Sequence, residues 1–127
     1  MNTIKPINLP PQIFNLKGWI QLTGPNELQH IFDETLIRCG FKVLNFSSHQ
    51  FPLNGYTALW LLAESHLAVH TFSSSGWTYI ELSSCNKDKA MHFISFCQQV
   101  KYTIRWEHGV EELNCGAIFN VFYKEKQ

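Results

Sequence analysis

From Leu16 onward the chain divides into short runs of alternating polarity and two longer runs with helical period. Residues 16–22, LKGWIQL, alternate well enough for a strand. Pro25-Asn26-Glu27 then opens a segment in which Leu28, Ile31, Phe32, Leu36 and Cys39 recur at helical spacing, and Gly40 supplies the stop. Residues 42–47, KVLNFS, predict the next strand. HQFPLNG, residues 49–55, holds Pro52 and the Asn54-Gly55 pair, a strong turn signal, ahead of the apolar run at 57–63. SSSG at 73–76 marks another turn, and in the WTYIELS that follows Trp77, Tyr79 and Glu81 face opposite to Thr78, Ile80 and Leu82. Ala90, Phe93, Ile94 and Cys97 form the apolar stripe of a second helix over roughly residues 87–99. KYTIRWE (101–107) and AIFNVFY (117–123) complete the predicted strands, with HGVEELNCG between them.

This order of elements predicts an α+β fold, a two-layer sandwich in which two helices cover one face of a largely antiparallel sheet. A parallel nucleotide-binding fold is excluded by the hairpin signals between the helices. No repeat, linker or low-complexity tract divides the chain, so residues 1–127 are expected to form a single domain. Residues 1–14, with three prolines and no long apolar core, read as an irregular N-terminal arm rather than a secretory signal.

Ten Lys plus Arg balance ten Asp plus Glu, which gives no electrostatic footprint for nucleic acid or a polybasic membrane contact. No run approaches the length of a membrane span. Ten Phe, four Trp and four Tyr are many large rings for 127 residues, and some of that surface is expected to line an interface or pocket. Cys39, Cys85, Cys97 and Cys115 form no compact metal-ligand pattern, so no metal is expected. They read as reduced thiols of a cytoplasmic protein.

The residues that carry chemistry lie in AESHLAVHT, 63–71, directly after the apolar TALWLL. An acid, a hydroxyl and two imidazoles in what reads as one buried strand region must each find a partner. Glu64-Ser65-His66-Leu67, then His70-Thr71, a turn bearing Gly76, and Cys85 together resemble the small prokaryotic class of S-adenosylmethionine decarboxylase proenzymes. The resemblance extends upstream through Phe51, Pro52 and Gly55 and runs to about residue 97. It implies that the chain cuts its own Glu64–Ser65 bond. Ser65 Oγ attacks the preceding carbonyl, and β-elimination of the resulting ester leads to a covalent pyruvoyl group. That carbonyl then serves as electron sink for a small amine-bearing carboxylate substrate, bound as a Schiff base.

By the same resemblance His70 is the base of self-processing, Cys85 the acid that protonates the substrate carbon after decarboxylation, and Phe51 the ring that stacks on adenine. Strand parity sets a condition on His70. Residues 65 and 70 point to opposite faces of an uninterrupted strand. The family's assembly further implies a homodimer with each site bordered by both subunits.

Two positions depart from the pattern. Thr57 stands where the family has a serine that supports processing; the hydroxyl persists with fewer rotamers. Ser74 stands where a Trp-Pro-Glu run supplies the glutamate for the ribose hydroxyls, and a neutral hydroxyl is a weaker acceptor. Three readings stay open: a polyamine-related decarboxylase of this family, one redirected to ornithine or arginine with Glu81 as the candidate for the distal cation, and a non-catalytic dimeric homologue.

Overall fold

The computed structural model describes residues 12–53 and 55–107. The predicted strand at 117–123, the connection at 108–116, Cys115 and residues 1–11 of the arm lie outside the described residues. Within them the order is β1 (Phe14–Ile20), α1 (Pro25–Arg38), β2 (Val43–Gln50), β3 (Gly55–Leu62), β4 (Ser65–Phe72), β5 (Trp77–Ser84), α2 (Lys87–Cys97) and β6 (Ile104–Trp106). The strands make one antiparallel sheet in the order β2-β3-β4-β5-β1-β6.

Alternation builds the sheet's one buried face. Ala58, Trp60 and Leu62 of β3, Leu67 and Val69 of β4, and Ile80 and Leu82 of β5 point into the core, while the residues between them are half-buried or exposed. The two helices meet that face with Leu28, Phe32 and Leu36 from α1 and Ala90, Phe93, Ile94 and Cys97 from α2. Phe32 joins the layers, stacked on Phe93 at 6.1 Å and edge-on to Trp60 at 5.9 Å. Trp60, although wholly buried, keeps its indole N–H satisfied by donating to Asp33 of α1 at 2.7 Å.

Both helices end where their chemistry dictates. At the end of α1, Gly40 takes φ 89, its N–H reaches the Ile37 carbonyl, and the Phe41 N–H reaches that of Leu36, closing a Schellman motif. At the start of α2, the Asn86 side chain accepts from the Lys89 N–H at 2.9 Å. That cap fixes where β5 hands the chain to the helix.

Several boundaries differ from those the periodicity predicts. The first strand is Phe14–Ile20 rather than 16–22, because Phe14 pairs with Ser84 and is buried, whereas the Gln21 N–H has turned to the Thr103 carbonyl. The arm therefore ends before Phe14. β2 continues to Gln50, which pairs with Tyr56, since ladder pairing outweighs the turn signal of Pro52. The α2 helix stops at Cys97, and the strand expected over 101–107 is ordered into the ladder only at Ile104–Trp106. Residues 57–71 are not one strand region but the β3–β4 hairpin, turning at Ala63-Glu64.

Gly18 has no room for a side chain. A Cβ there would sit 2.7 Å from the Trp106 ring and 2.8 Å from the Arg105 carbonyl oxygen. Gly18→Ala is therefore expected to force β6 away from β1 and to destabilise the fold by about 1–3 kcal/mol. Urea unfolding of the two proteins measures this; an unchanged midpoint would show that β6 shifts freely.

Candidate active site

The register of β3 and β4 determines the local geometry. Leu62 pairs with Ser65, so only Ala63 and Glu64 connect the strands, and Glu64 is driven to φ 65. Among the described non-glycine residues it alone has a positive φ. In such tight turns glycine or asparagine ordinarily takes this position, and an L side chain there costs about 1–2 kcal/mol. The peptide bond between Glu64 and Ser65 thus follows a strained residue at the rim of the sheet.

Two residues at the end of β5, just ahead of α2, bond to the groups flanking that bond. Cys85 Sγ donates to the Glu64 carbonyl oxygen at 2.9 Å. Ser65 Oγ donates to Ser84 Oγ at 3.0 Å, across the Ser65–Ser84 register pair that joins β4 to β5. Ser84 is itself buried and tied to the Asn86 backbone, accepting from its N–H at 2.9 Å and donating to its carbonyl at 3.3 Å. The cysteines differ sharply in setting. Cys85 is exposed, whereas burial pushes the Cys39 thiol up to about 12, against the opposing charge of Arg38. Cys39 is thereby unsuited to proton transfer near neutrality. Cys97 is buried in the core with it.

A second group forms farther along β4 on the face away from the helices. Thr57 and His70 are opposite in the ladder, and Thr57 Oγ1 lies 3.1 Å from His70 Nδ1. On the other side His70 stacks on Tyr79 at 6.2 Å. Tyr79 meets Trp19 edge-on at 5.2 Å, and Trp19 meets Phe72 at 5.8 Å. Desolvation, followed by the charges of Glu81 and Glu107, raises the Tyr79 phenol above its ordinary range. Glu81 therefore lies on the open face within electrostatic reach of this aromatic row.

Phe51 and Ser74 mark the far end of the same face. Phe51 is about half exposed, edge-on to His49 at 4.5 Å, and its N–H donates to the carbonyl of Gly55, the residue paired with Phe72. Ser74 is exposed in the turn beyond Phe72.

The structure brings Glu64, Ser65 and Cys85 together, and separately brings Thr57 to His70. It does not join the two groups within one chain. β4 pairs with both neighbours without a register break, so five residues separate Ser65 from His70 by roughly 17 Å along the strand. Ser84 is a member of the site that the sequence alone does not single out; its only signals are adjacency to Cys85 and a place on the buried parity of β5. Among the described residues no cluster of three or more His, Cys, Asp or Glu is arranged to hold a metal ion, and no helix is long and apolar enough to cross a membrane.

Comparison with known proteins adds an independent line. Residues 15–103 match the family model described as S-adenosylmethionine decarboxylase. The S-adenosylmethionine decarboxylase proenzyme of Prochlorococcus marinus (strain MIT 9313) is 42% identical over 48 residues, 38% of this chain and 38% of that protein. The proenzyme of the same name from Symbiobacterium thermophilum is 34% identical over 58 residues, 46% of this chain and 44% of that protein. The chain spans less than half the length of these curated relatives in the matched segments. The crystal structure of the adenosylmethionine decarboxylase from Aquifex aeolicus VF5 has a TM-score of 0.51 and 13% identity, covering 76% of this chain and 90% of that chain. That likeness is one of fold: an antiparallel sheet with two helices on one face.

Glu64 offers a direct measure of the turn's strain. In a Ser65→Ala background, which removes the hydroxyl beside this bond, Glu64→Gly is expected to raise stability by about 1 kcal/mol. The comparison is made by urea unfolding at equal slope. Equal or lower stability in the glycine variant would mean that the Glu64 side chain offsets the cost of its backbone.

Proposed function

The chain belongs to the S-adenosylmethionine decarboxylase family, and from that premise we propose that it cuts its own Glu64–Ser65 bond and becomes a pyruvoyl-dependent decarboxylase of a small amine-bearing carboxylate. The observation that carries this reading is the convergence of a strained backbone, a nucleophile and a carbonyl-bound thiol on one peptide bond.

In the first step Ser65 Oγ bonds to the Glu64 carbonyl carbon, the C–N bond breaks, and the proton lost from oxygen is balanced by one gained at the Ser65 nitrogen. Cys85 Sγ–H already donates to the oxygen that gains charge in this step. A base next removes the Ser65 Cα proton while the Cβ–Oγ bond breaks, leaving a Glu64 carboxylate and a dehydroalanine. Hydrolysis of the latter releases ammonia and leaves pyruvoyl at position 65. That group supplies the electron sink for loss of carbon dioxide. Cys85, exposed beside it, is the proton donor to the substrate carbon.

His70 is the base, with Nδ1 lying 3.1 Å from Thr57 Oγ1; acting through Nε2 requires the tautomer in which Nδ1–H donates to Thr57. It serves the Ser65 of a second copy. The separation along β4 supports a role across two chains, and the open face carries exposed Leu59, Leu61 and Phe72, an apolar surface suited to pairing. A two-fold pairing of open faces sets the His70 end of one sheet against the Ser65 end of the other. Phe51 and Ser74 then border the same shared site, with Phe51 offering a flat face to a ring. Ser74 carries no charge for ribose hydroxyls, which favours an amine-bearing substrate other than S-adenosylmethionine.

Subunit mixing tests the shared site. Wild-type chains are expected to give fragments of 64 and 63 residues by denaturing mass spectrometry. Ser65→Ala and His70→Ala chains are each expected to stay intact alone, and co-expression should restore cleavage of the His70→Ala chain. Rescue fails if the base acts within its own chain, whereas an intact wild type under all folding conditions would defeat self-processing.

Carbon dioxide release from S-adenosylmethionine, ornithine, arginine and lysine tests the substrate, with Ser65→Ala as control. Ser74→Glu should raise kcat/KM for S-adenosylmethionine by about tenfold or more, since a hydrogen bond to a charged acceptor contributes about 1.5–3 kcal/mol. A wild type that already prefers S-adenosylmethionine would overturn the inference from Ser74.

A further inference from the structure

Ser84 has no assigned role, yet it touches the atom that must react. We propose that Ser84 is a catalytic residue of self-processing, holding the Ser65 hydroxyl for the acyl shift; the inference rests on the self-cleavage reading above.

A serine hydroxyl has one proton to donate and two lone pairs to accept with. At Ser84 all three are engaged. Its proton goes to the Asn86 carbonyl, and its lone pairs receive the Asn86 N–H and the Ser65 O–H. With its only proton committed, Ser84 acts toward Ser65 as an acceptor. Ser65 therefore spends its proton on Ser84 and keeps its Oγ lone pairs for the Glu64 carbonyl carbon. Donation onward to Asn86 also strengthens Ser84 as an acceptor, because hydrogen bonds in a chain polarise one another.

The supports are rigid. Ser84 is 1% exposed, lies opposite Ser65 in the β4–β5 ladder, and is bound to the residue that caps α2. The nucleophile is thus held by the sheet register and the helix start together, and a positional error of an ångström at such a contact is costly in rate. Ser84 acts at ester formation, whereas His70 acts at the later elimination.

That separation supplies the test. A His70→Ala chain should stall as the ester, which hydroxylamine cleaves between Glu64 and Ser65. Adding Ser84→Ala should slow hydroxylamine-dependent cleavage by about tenfold or more, with Ser84→Thr restoring it. Ser84→Cys fills nearly the same space with a weak acceptor, and should also be slow; it replaces the alanine variant if that chain does not fold by circular dichroism. If the His70→Ala chain is cleaved at the same rate with and without a folded Ser84→Ala or Ser84→Cys substitution, the inference is overturned and the self-cleavage reading stands. Absence of any cleavage in wild type, with or without hydroxylamine, overturns both.

Discussion

A two-residue connection between β3 and β4 is the constraint from which the candidate site follows. The pairing of Leu62 with Ser65 closes the hairpin over Ala63 and Glu64 alone, and in that tight turn Glu64 takes a φ of 65. Slipping the register by one residue would relieve the turn but would carry Leu67 and Val69 from the core to the open face. Each buried aliphatic side chain contributes about 1.5–3 kcal/mol. Two of them outweigh the roughly 1–2 kcal/mol cost of the backbone strain. The core thus holds the Glu64–Ser65 bond next to a residue whose backbone conformation an L side chain does not prefer.

The same one-sided burial explains why the chemistry separates into two groups. Helices α1 and α2 cover only one face of the sheet, so residues of opposite parity, including Thr57, His70, Phe72 and Tyr79, remain on the other. Rings on that face satisfy one another in a row from His70 through Tyr79 and Trp19 to Phe72. Ser65, at the strand's first position, instead meets Ser84 at the helix start. In the proposed site a second sheet brings the two groups together, which ties the proposed chemistry to the proposed assembly.

Much of the fold is legible in the sequence because its signals are periodic. The stripe of Leu28, Phe32 and Leu36, the stop at Gly40 and the alternation from Trp77 to Leu82 each arise from local geometry that the sequence expresses directly. The turn at Ala63-Glu64 is not legible, since neither residue is a usual turn former and the register of distant strands imposes it. Phe14 misleads for a related reason: three nearby prolines signal an irregular arm, but pairing with Ser84 is a long-range contact. In the site, Glu64, Ser65 and Cys85 are found through family resemblance, and their meeting point is seen only in three dimensions. Ser84 escapes notice because a serine on buried parity has no pattern of its own; its importance comes from what lies opposite it.

The proposed reactivity and the proposed selectivity rest on parts of the fold with very different tolerance for change. Ser84 and Cys85 are fixed by a ladder register and a capped helix, and a substitution there disturbs β5, α2 and the hairpin at once. Ser74 occupies an exposed turn in which the Ser75 hydroxyl bonds locally, to the Phe72 carbonyl and the Trp77 N–H. A side chain can change at such a tip with little consequence for the core. On this architecture, a change of side chain at position 74 would leave untouched the contacts that hold the Glu64–Ser65 bond, so the proposed recognition by Ser74 is separable from the proposed cleavage. A shift in substrate with retained self-cleavage is then the mechanically easy path, and loss of cleavage with retained substrate recognition the hard one.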